Sequence, residues 1–410
     1  MRRNALTVCF VVALVALLGN VSSATTTENV VYSFAGQDGV DPAADLVFDA
    51  AGNAYGTTVS GGGANCGTVF KLTPSGSQWL QTVLFSFDCF GSGKNPYGGV
   101  TLDAQGNLYG TTVAGGSGGV CAGDGCGVVY KLTHSGGSWT ETVLYSFGDA
   151  PDAGGPGSAV VFDRAGNILG TAPDGGAFAH GAVYELTFNG SQWTERVLHD
   201  FSGGADGAVG FLGRLLPDAV GNFYGVTELG GANGLGTVFK LAPMSGSYQL
   251  TTLYAFTGSP DGAFPYGGLV ADRSGNLYGT TYFGGSLGQG SVFRVGPGPV
   301  IGGWRDAVLY SFQGGTDGAN PTGTLLFDAN GNLYGTTSAG GDASCQCGSI
   351  FTLTPTGVNR WTLTWFHDFA GSSDGKFAYY GLTPDGQGHY LGTTANGGTH
   401  NMGAIFSVTP

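Results

Sequence analysis

Five charged or ionisable residues interrupt an otherwise repetitive sequence and are the first candidates for chemistry. Glu228, His180 and His400 lie in glycine-rich loops outside the repeat consensus. Asp45 and Arg214 fall at one equivalent repeat position, and the other copies have small residues there: Gly99, Ala159, Gly268, Thr324 and Gly381. Carboxylates that work in pairs, with nearby acid–base groups, are typical of enzymes that cleave glycosidic bonds. Each of these residues can equally be a locally paired or solvated side chain.

A group of aromatic residues near the same loops offers binding rather than catalysis. Rings exposed beside carboxylates suit the recognition of a sugar or a protein surface, and the candidates are Tyr266, Tyr282, Phe283, Tyr379 and Tyr380. Because no recognisable catalytic set accompanies them, we expect a protein that binds an extracellular polysaccharide or protein. Two alternatives stay open: a glycoside hydrolase or polysaccharide lyase with its site at a channel mouth, and a structural or adhesive envelope protein.

Two further acidic patterns have a structural interpretation that outweighs a chemical one. His199-Asp200 and His367-Asp368 share one repeat position on a strand, where neighbouring side chains point to opposite faces. A ring of Asp-Gly pairs could offer oxygen ligands to Ca²⁺, but its recurrence favours aspartates that cap their own turns. The pairs begin at Asp38, Asp206, Asp261, Asp317 and Asp374. We expect no metal or cofactor, with Ca²⁺ as the one open exception.

An internal repeat must position all these residues. The phrase Gly-Asn-Ala-Tyr-Gly-Thr-Thr at 52–58 returns six more times at intervals of 54 to 60 residues. Its centres are Tyr55, Tyr109, Leu169, Tyr224, Tyr278, Tyr334 and Leu391. Each copy has four strand-like segments separated by turn residues, which predicts seven four-stranded antiparallel units.

The two ends of the repeat region predict how the units are joined. The last copy has no fourth strand after 405–408, whereas a spare fourth strand, 30–34, precedes the first copy. A ring closed by its own first strand leaves no open sheet edge. We therefore predict an all-β, seven-bladed β-propeller that forms one domain over residues 25–410, and we expect it to be monomeric.

The first residues and the net charge indicate the cellular compartment and disfavour some classes of partner. Two arginines, an apolar run and a small-residue exit at Ala24 predict a secretory signal peptide over residues 1–24. The whole chain has a net charge of −14, and without this leader twelve basic residues face 28 acidic ones, a net charge of −16. Such a charge disfavours nucleic acid and anionic membranes as partners. We expect a secreted, extracellular protein.

Six cysteines remain after the leader, an even number that suggests disulfides in an exported chain. Fifteen connectivities are possible. The repeat would let Cys66 and Cys89 pair across one face, and Cys121 and Cys126 close one loop. A bond between Cys345 and Cys347, across a single residue, would be strained.

The repeat resembles the GloVer-type tandem repeat of secreted bacterial β-propeller proteins from Val30 to Pro410. The matching phrases are Gly-Asn-Leu-Tyr-Gly-Thr-Thr, Gly-Thr-Val-Phe-Lys-Leu-Thr-Pro at 67–74, and Leu-Tyr-Ser-Phe followed by Asp317, Gly318 and Pro321. The resemblance implies the propeller and export but no reaction. Members carry varied surface-anchoring tails, and because none follows here we expect free secretion.

Overall fold

The computed structural model describes residues 27–119, 121–208, 213–298, 303–357 and 359–409. Within these residues, seven four-stranded antiparallel sheets form a ring, so the predicted seven-bladed propeller is confirmed. The expected signal peptide, residues 1–24, lies outside the described residues. No helix in the described ranges is long and apolar enough to cross a membrane.

Each blade carries four strands in sequence order from the axis outward, except that blade 7 takes its outer strand from the start of the chain. The first three blades contain, for blade 1, β2 (Val40–Phe48), β3 (Ala54–Ser60), β4 (Thr68–Ser75) and β5 (Gln78–Ser86); for blade 2, β6 (Val100–Leu102), β7 (Leu108–Thr112), β8 (Val128–Ser135) and β9 (Ser138–Ser146); and for blade 3, β11 (Val161–Phe162), β12 (Ile168–Ala172), β14 (Ala182–Phe188) and β15 (Trp193–Asp200). The next two contain, for blade 4, β16 (Leu216–Pro217), β17 (Phe223–Thr227), β18 (Thr237–Met244) and β19 (Ser247–Ala255); and for blade 5, β20 (Val270–Ala271), β21 (Leu277–Thr281), β22 (Ser291–Pro297) and β23 (Trp304–Ser311). The last two contain, for blade 6, β24 (Leu326–Phe327), β25 (Leu333–Thr337), β26 (Ser349–Gly357) and β27 (Arg360–Asp368); and for blade 7, β28 (Thr383–Pro384), β29 (Tyr390–Thr394), β30 (Ala404–Thr409) and β1 (Thr27–Ser33). Outside the blades lie a two-stranded ribbon, β10 (Ala153–Gly154) with β13 (Asp174–Gly175), and short 3-10 turns at Cys121–Gly123 and Gly315–Asp317.

The ring closes where the sequence predicts. Strand β1 pairs antiparallel with β30, from Thr27 opposite Thr409 to Ser33 opposite Ala404. The first strand thereby completes blade 7 and covers what would be an exposed sheet edge.

Neighbouring blades are held together by one repeated aromatic contact. The phenylalanine that follows each outer strand is fully buried and meets, edge to face, a ring in the third strand of the next blade. Ring centroids lie 4.9 to 5.6 Å apart in all seven pairs, a geometry worth about 0.5–1.5 kcal/mol each beyond burial. The pairs are Phe34–Phe70, Phe87–Tyr130, Phe147–Tyr184, Phe201–Phe239, Phe256–Phe293, Phe312–Phe351 and Phe369–Phe406.

This contact explains the glycine inside the repeat phrase. A Cβ added to Gly279 would lie 2.7 Å from the ring of Phe293, closer than real contacts allow. The second strand therefore needs glycine where the aromatic ring of the third strand crosses it.

The turn between the first two strands of each blade is locked by an aspartate. In blade 1, Asp49 accepts hydrogen bonds from the backbone of Ala51 and Asn53, and from the side chains of Asn53 and Tyr55. The backbone hydrogen bond from the residue four positions later recurs in the other six blades, at Asp103, Asp163, Asp218, Asp272, Asp328 and Asp385. The Asp-x-x-Gly-Asn sequence thus stabilises a turn, and these aspartates at this end of the ring form hydrogen bonds within their own turns.

Candidate functional site

The long loops of the propeller meet on the face opposite these turns. The loop that enters each blade runs beside the loop between its second and third strands; Ala263 and Phe283, for example, exchange backbone hydrogen bonds of 2.9 and 3.0 Å. The same bridge joins Lys94 to Ala114, Ala208 to Leu229, Ala319 to Ala339 and Lys376 to Asn396. Side chains on the axial side of these loops therefore surround the open end of the channel.

A cavity of about 700 Å³ lies at this open end, and we call it the tyrosine-lined mouth. Five of its nine lining residues are tyrosines. The lining residues are Asp41, Asn95, Tyr97, Val113, Tyr266, Tyr282, Thr322, Tyr379 and Tyr380. Four of the five aromatic residues predicted from the sequence are therefore brought together here, whereas Phe283 packs on Tyr282 at 4.6 Å, exposes 45% of its surface and is not part of the lining.

Two repeat positions build most of this mouth. One is the residue directly after the proline of the blade-entry loop or its equivalent, and it supplies Tyr97, Tyr266, Thr322 and Tyr379. The other follows the repeat phrase and supplies Val113 and Tyr282. Sequence reasoning missed Asp41, Asn95, Tyr97, Val113 and Thr322. Aligning the entry loops, rather than only the first strands, would have drawn attention to them.

Two of the mouth tyrosines contact each other, and one of them binds a carboxylate. The hydroxyl of Tyr266 donates a 2.6 Å hydrogen bond to Oε1 of Glu228, and its ring lies 5.4 Å from that of Tyr282. Burial and this carboxylate both raise the pKa of Tyr266, so its phenol stays protonated at neutral pH. Glu228 thus lies behind the mouth and orients a tyrosine.

Below the mouth the channel narrows to a cavity of about 50 Å³, which holds only a few water molecules. Asp45 and Arg214 both line it, as do Tyr97, Thr322, Tyr379 and Tyr380, so the two cavities are adjacent. Asp45 accepts a 2.7 Å hydrogen bond from the backbone of Gly381. Burial raises the pKa of the Asp45 carboxyl, while the Gly381 and Thr324 hydrogen bonds and the charge of Arg214 oppose that change.

Arg214 lines the channel, where protein atoms surround it although its surface stays open to the solvent in the channel. Burial lowers the pKa of its guanidinium group and the charge of Asp45 raises it. Arg214 forms no hydrogen bond or ion pair within 4 Å to any residue in the described ranges. Asp45 and Arg214 therefore affect each other's pKa through their charges and not through a direct bond.

The two candidate histidines lie elsewhere on the long-loop face. Both are exposed, and neither lines the mouth or the channel. The ring of His180 lies against Gly203 in the next blade-entry loop. The structure therefore does not bring His180 or His400 together with Asp45.

The aspartates of the Asp-Gly pairs form local hydrogen bonds. Each aspartate accepts a backbone N–H from the start of its own loop, as from Ala35 to Asp38 at 2.8 Å. Each also binds the outer strand of the preceding blade, through Tyr32, Tyr254 or Tyr310 in three blades. His199 and His367 take the place of that tyrosine, with Nε2 3.0 and 3.1 Å from Asp206 and Asp374.

All six cysteines of the described chain form disulfides, in the pairs Cys66–Cys89, Cys121–Cys126 and Cys345–Cys347. One group of three possible metal-ligating atoms is found in the described ranges: Cys121, Cys126 and Asp149. Because the two thiols are bonded to each other, they offer no thiolate to an ion.

Comparison with known proteins concerns the repeat and the fold. A sequence model described as the Gloeobacter/Verrucomicrobia repeat matches residues 18–123, 117–304 and 300–410. No curated protein matches the sequence. A structure from Thermus thermophilus, described as an oxidoreductase (glucose dehydrogenase), is 16% identical, covers 76% of this chain and 94% of its own, and has a TM-score of 0.45. One from Bacteroides uniformis, described as a 6-phosphogluconolactonase, is 18% identical, covers 79% and 83%, and has a TM-score of 0.47. At these TM-scores neither likeness bears on the activity of this chain.

Proposed function

The chain belongs to the Gloeobacter/Verrucomicrobia repeat family, and we propose that it is an exported propeller that binds the end of an extracellular polysaccharide in the tyrosine-lined mouth. The observation that carries this proposal is a cavity of about 700 Å³ lined by five tyrosines. Cavities of this size suit small ligands or a few sugar units. Tyrosine offers a large apolar face and a hydroxyl at low entropic cost.

The channel supports binding of a chain end rather than of a threaded chain. Its 50 Å³ cavity admits water but no sugar ring, so a polysaccharide would stop at Tyr97 and Tyr380, which line both cavities. The leader predicted from the sequence and the three disulfides support export.

The proposal is tested by retention of the purified protein on a panel of plant, algal and microbial polysaccharides. We expect one class to retain the protein, and Tyr282→Ala or Tyr379→Ala to weaken binding at least tenfold. Phe90→Ala is the matched control, because Phe90 is 76% exposed in a long loop and does not line the mouth. If no polysaccharide retains the protein, or if the tyrosine variants bind like the control, the proposal is wrong.

A second candidate function, glycoside hydrolysis, is favoured by two carboxyl groups near one tyrosine. Burial raises the pKa of Asp41 to about 6 and also raises that of Asp45, and both charges act on Tyr380. A carboxyl group with a raised pKa can act as a general acid. In the same panel, new chain ends that disappear in Asp45→Asn would make the protein an enzyme, whereas retention without new ends would exclude this candidate for the polysaccharide bound.

A further inference from the structure

Asp41 is the one charged residue among those that line the tyrosine-lined mouth. The structure shows no hydrogen bond or ion pair from its carboxylate to any described residue, and its backbone N–H donates to the carbonyl of Met402 at 3.0 Å. A half-buried carboxylate left without a partner loses hydration and gains nothing in return. Its presence therefore needs an explanation outside the fold.

The repeat itself shows what the fold prefers at this position. Asn95 and Asn320 are the equivalents of Asp41 in blades 2 and 6, and each donates its side-chain amide to a backbone carbonyl, of Val59 at 3.0 Å and of Tyr282 at 2.9 Å. A carboxylate has no N–H and cannot form this bond. Blade 1 thus lacks this stabilising side-chain hydrogen bond and has the negative charge of Asp41 in the mouth instead.

The surroundings of Asp41 are phenol rings. Burial raises the pKa of Tyr97, Tyr379 and Tyr380, and the charge of Asp41 raises each of them further, so three of the five mouth tyrosines lie close enough to sense this charge. Aromatic rings beside a carboxylate attract an organic cation, both through the negative faces of the rings and through the charge. Quaternary ammonium groups are recognised in this way.

No basic side chain of the described chain already fills this role. Arg214 lies in the channel with Asp45, and Lys94 forms a 2.8 Å ion pair with Asp124. Lys376 lies over the ring of Phe377, 5.6 Å from its centroid. The net charge of the whole chain, −14, further favours a cationic ligand over an anionic one.

We infer that the polysaccharide bound in the tyrosine-lined mouth carries amino groups, and that Asp41 pairs with one of these cationic nitrogens while the surrounding tyrosines enclose it. This inference rests on the proposed function and names its ligand class: an amino-sugar polymer with free or methylated amines. Neutral polysaccharides then bind more weakly because they leave the carboxylate without a partner.

The test compares two oligosaccharides of equal length at pH 7.5, fully N-trimethylated glucosamine hexamer and N-acetylglucosamine hexamer, by calorimetric titration. We expect the cationic hexamer to bind at least tenfold more tightly to the unaltered protein. Asp41→Asn should remove that preference and leave the affinity for the acetylated hexamer within about twofold. Because asparagine is the residue of blades 2 and 6, this variant should fold, which thermal unfolding verifies.

Asp174→Asn is the matched control, because Asp174 is an exposed acid on the same face that does not line the mouth. Equal affinity for the two hexamers, with loss of both in Tyr379→Ala, would overturn the inference and leave polysaccharide binding in place. A preference that survives Asp41→Asn, or that Asp174→Asn also removes, would likewise overturn it. If no polysaccharide in the wider panel binds, the proposed function fails first; if a lysine-rich peptide binds through Asp41 and no glycan does, the ligand is a protein.

Discussion

At one position of the blade-entry loops the side chain changes from blade to blade while the backbone conformation stays the same. Asp41, Asn95, Phe264 and Asn320 hold one repeat position, and their φ angles lie between 55° and 58°. This is the left-handed region, which asparagine and aspartate tolerate better than most residues. An exchange between these residue types therefore alters the chemistry of the mouth without a new backbone conformation.

The pH dependence of ligand binding follows from the same residue. Burial raises the pKa of Asp41 to about 6, so the carboxylate is mostly ionised at pH 7.5 and mostly protonated at pH 5. A ligand with a permanent positive charge should therefore bind about tenfold more weakly at pH 5 than at pH 7.5. Calorimetric titration with the trimethylated hexamer measures this change. A flat pH profile in the unaltered protein, or an equally steep one in Asp41→Asn, would contradict it.

At the scale of elements, the hairpin between the first two strands depends on one carboxylate. Asp272 accepts backbone hydrogen bonds from Ser274 and Asn276 at 2.8 and 3.0 Å, and side-chain bonds from Asn276 and Tyr278 at 2.7 and 2.9 Å. Asp272→Ala should lower the free energy of unfolding by about 2 kcal/mol, since hydrogen bonds to a charged group are lost. Chemical denaturation measures the loss. Ser274→Ala, which keeps the backbone donor, should cost little, and an equal cost in both variants would contradict this account.

A second element-scale feature lies between neighbouring blades. In four blades an acidic residue of the outer strand faces the aspartate of the loop that enters the blade, in the pairs Glu28–Asp374, Glu141–Asp88, Glu195–Asp152 and Asp306–Asp261. Burial, together with the neighbouring carboxylate, raises the pKa of Glu28, Glu141 and Asp306 to about 7, and that of Glu195 as well. Each pair is therefore more favourable when it holds a proton.

Glu141→Gln should stabilise the protein at pH 8. Oε1 of Glu141 is buried without a hydrogen-bond partner. In blade 1 the equivalent residue is Gln81, whose side-chain amide donates to the backbone carbonyl of Asp38 at 3.3 Å. With solvent screening allowed for, the gain in the free energy of unfolding is about 1 kcal/mol at pH 8 and near zero at pH 4. A gain of equal size at both pH values would show that charge is not its cause.

These elements show which features of the fold can be predicted from the sequence and which cannot. The seven repeats, the strand order and the closing strand could be predicted because identical turns and periodic apolar residues recur in every copy. The carboxyl pairs could not, since Glu141 and Asp88 are 53 residues apart and meet only when blades pack in a ring. The two His-Asp dipeptides were predicted as structural, and each histidine in fact binds a different aspartate, seven residues further on.

At the scale of the whole molecule, the site is a product of ring closure. Tyr97, Tyr282 and Tyr379 come from blades 2, 5 and 7, and no sequence window contains them together. The repeat alignment drew attention to Asp45 and Arg214 as charged exceptions at one position, and both residues line one channel. It could not show that the channel is too narrow for a sugar, because cavity size depends on how side chains from all seven blades pack.

The stability of the whole propeller should pass through a maximum near pH 4–5. The hydrogen bonds of the hairpins lower the pKa of aspartates such as Asp49, Asp103 and Asp272, so their contribution is present above about pH 4 and is lost as the pH falls below that value. The carboxyl pairs act in the opposite direction. Their contribution is complete below the ordinary glutamate pKa of about 4.5 and is lost as the pH rises to about 7.

The hairpin aspartates lose their stabilising effect below pH 4, and the carboxyl pairs lose theirs as the pH rises to about 7. The melting temperature should therefore fall by on the order of 5 °C between pH 4.5 and pH 8. Scanning calorimetry from pH 3 to pH 9 measures this curve. The double variant Glu141→Gln and Asp306→Asn should flatten its alkaline side, whereas Asp272→Ala should lower the whole curve above pH 4. A melting temperature that rises steadily from pH 4 to pH 8 would contradict the assignment of protonated carboxyl pairs between the blades.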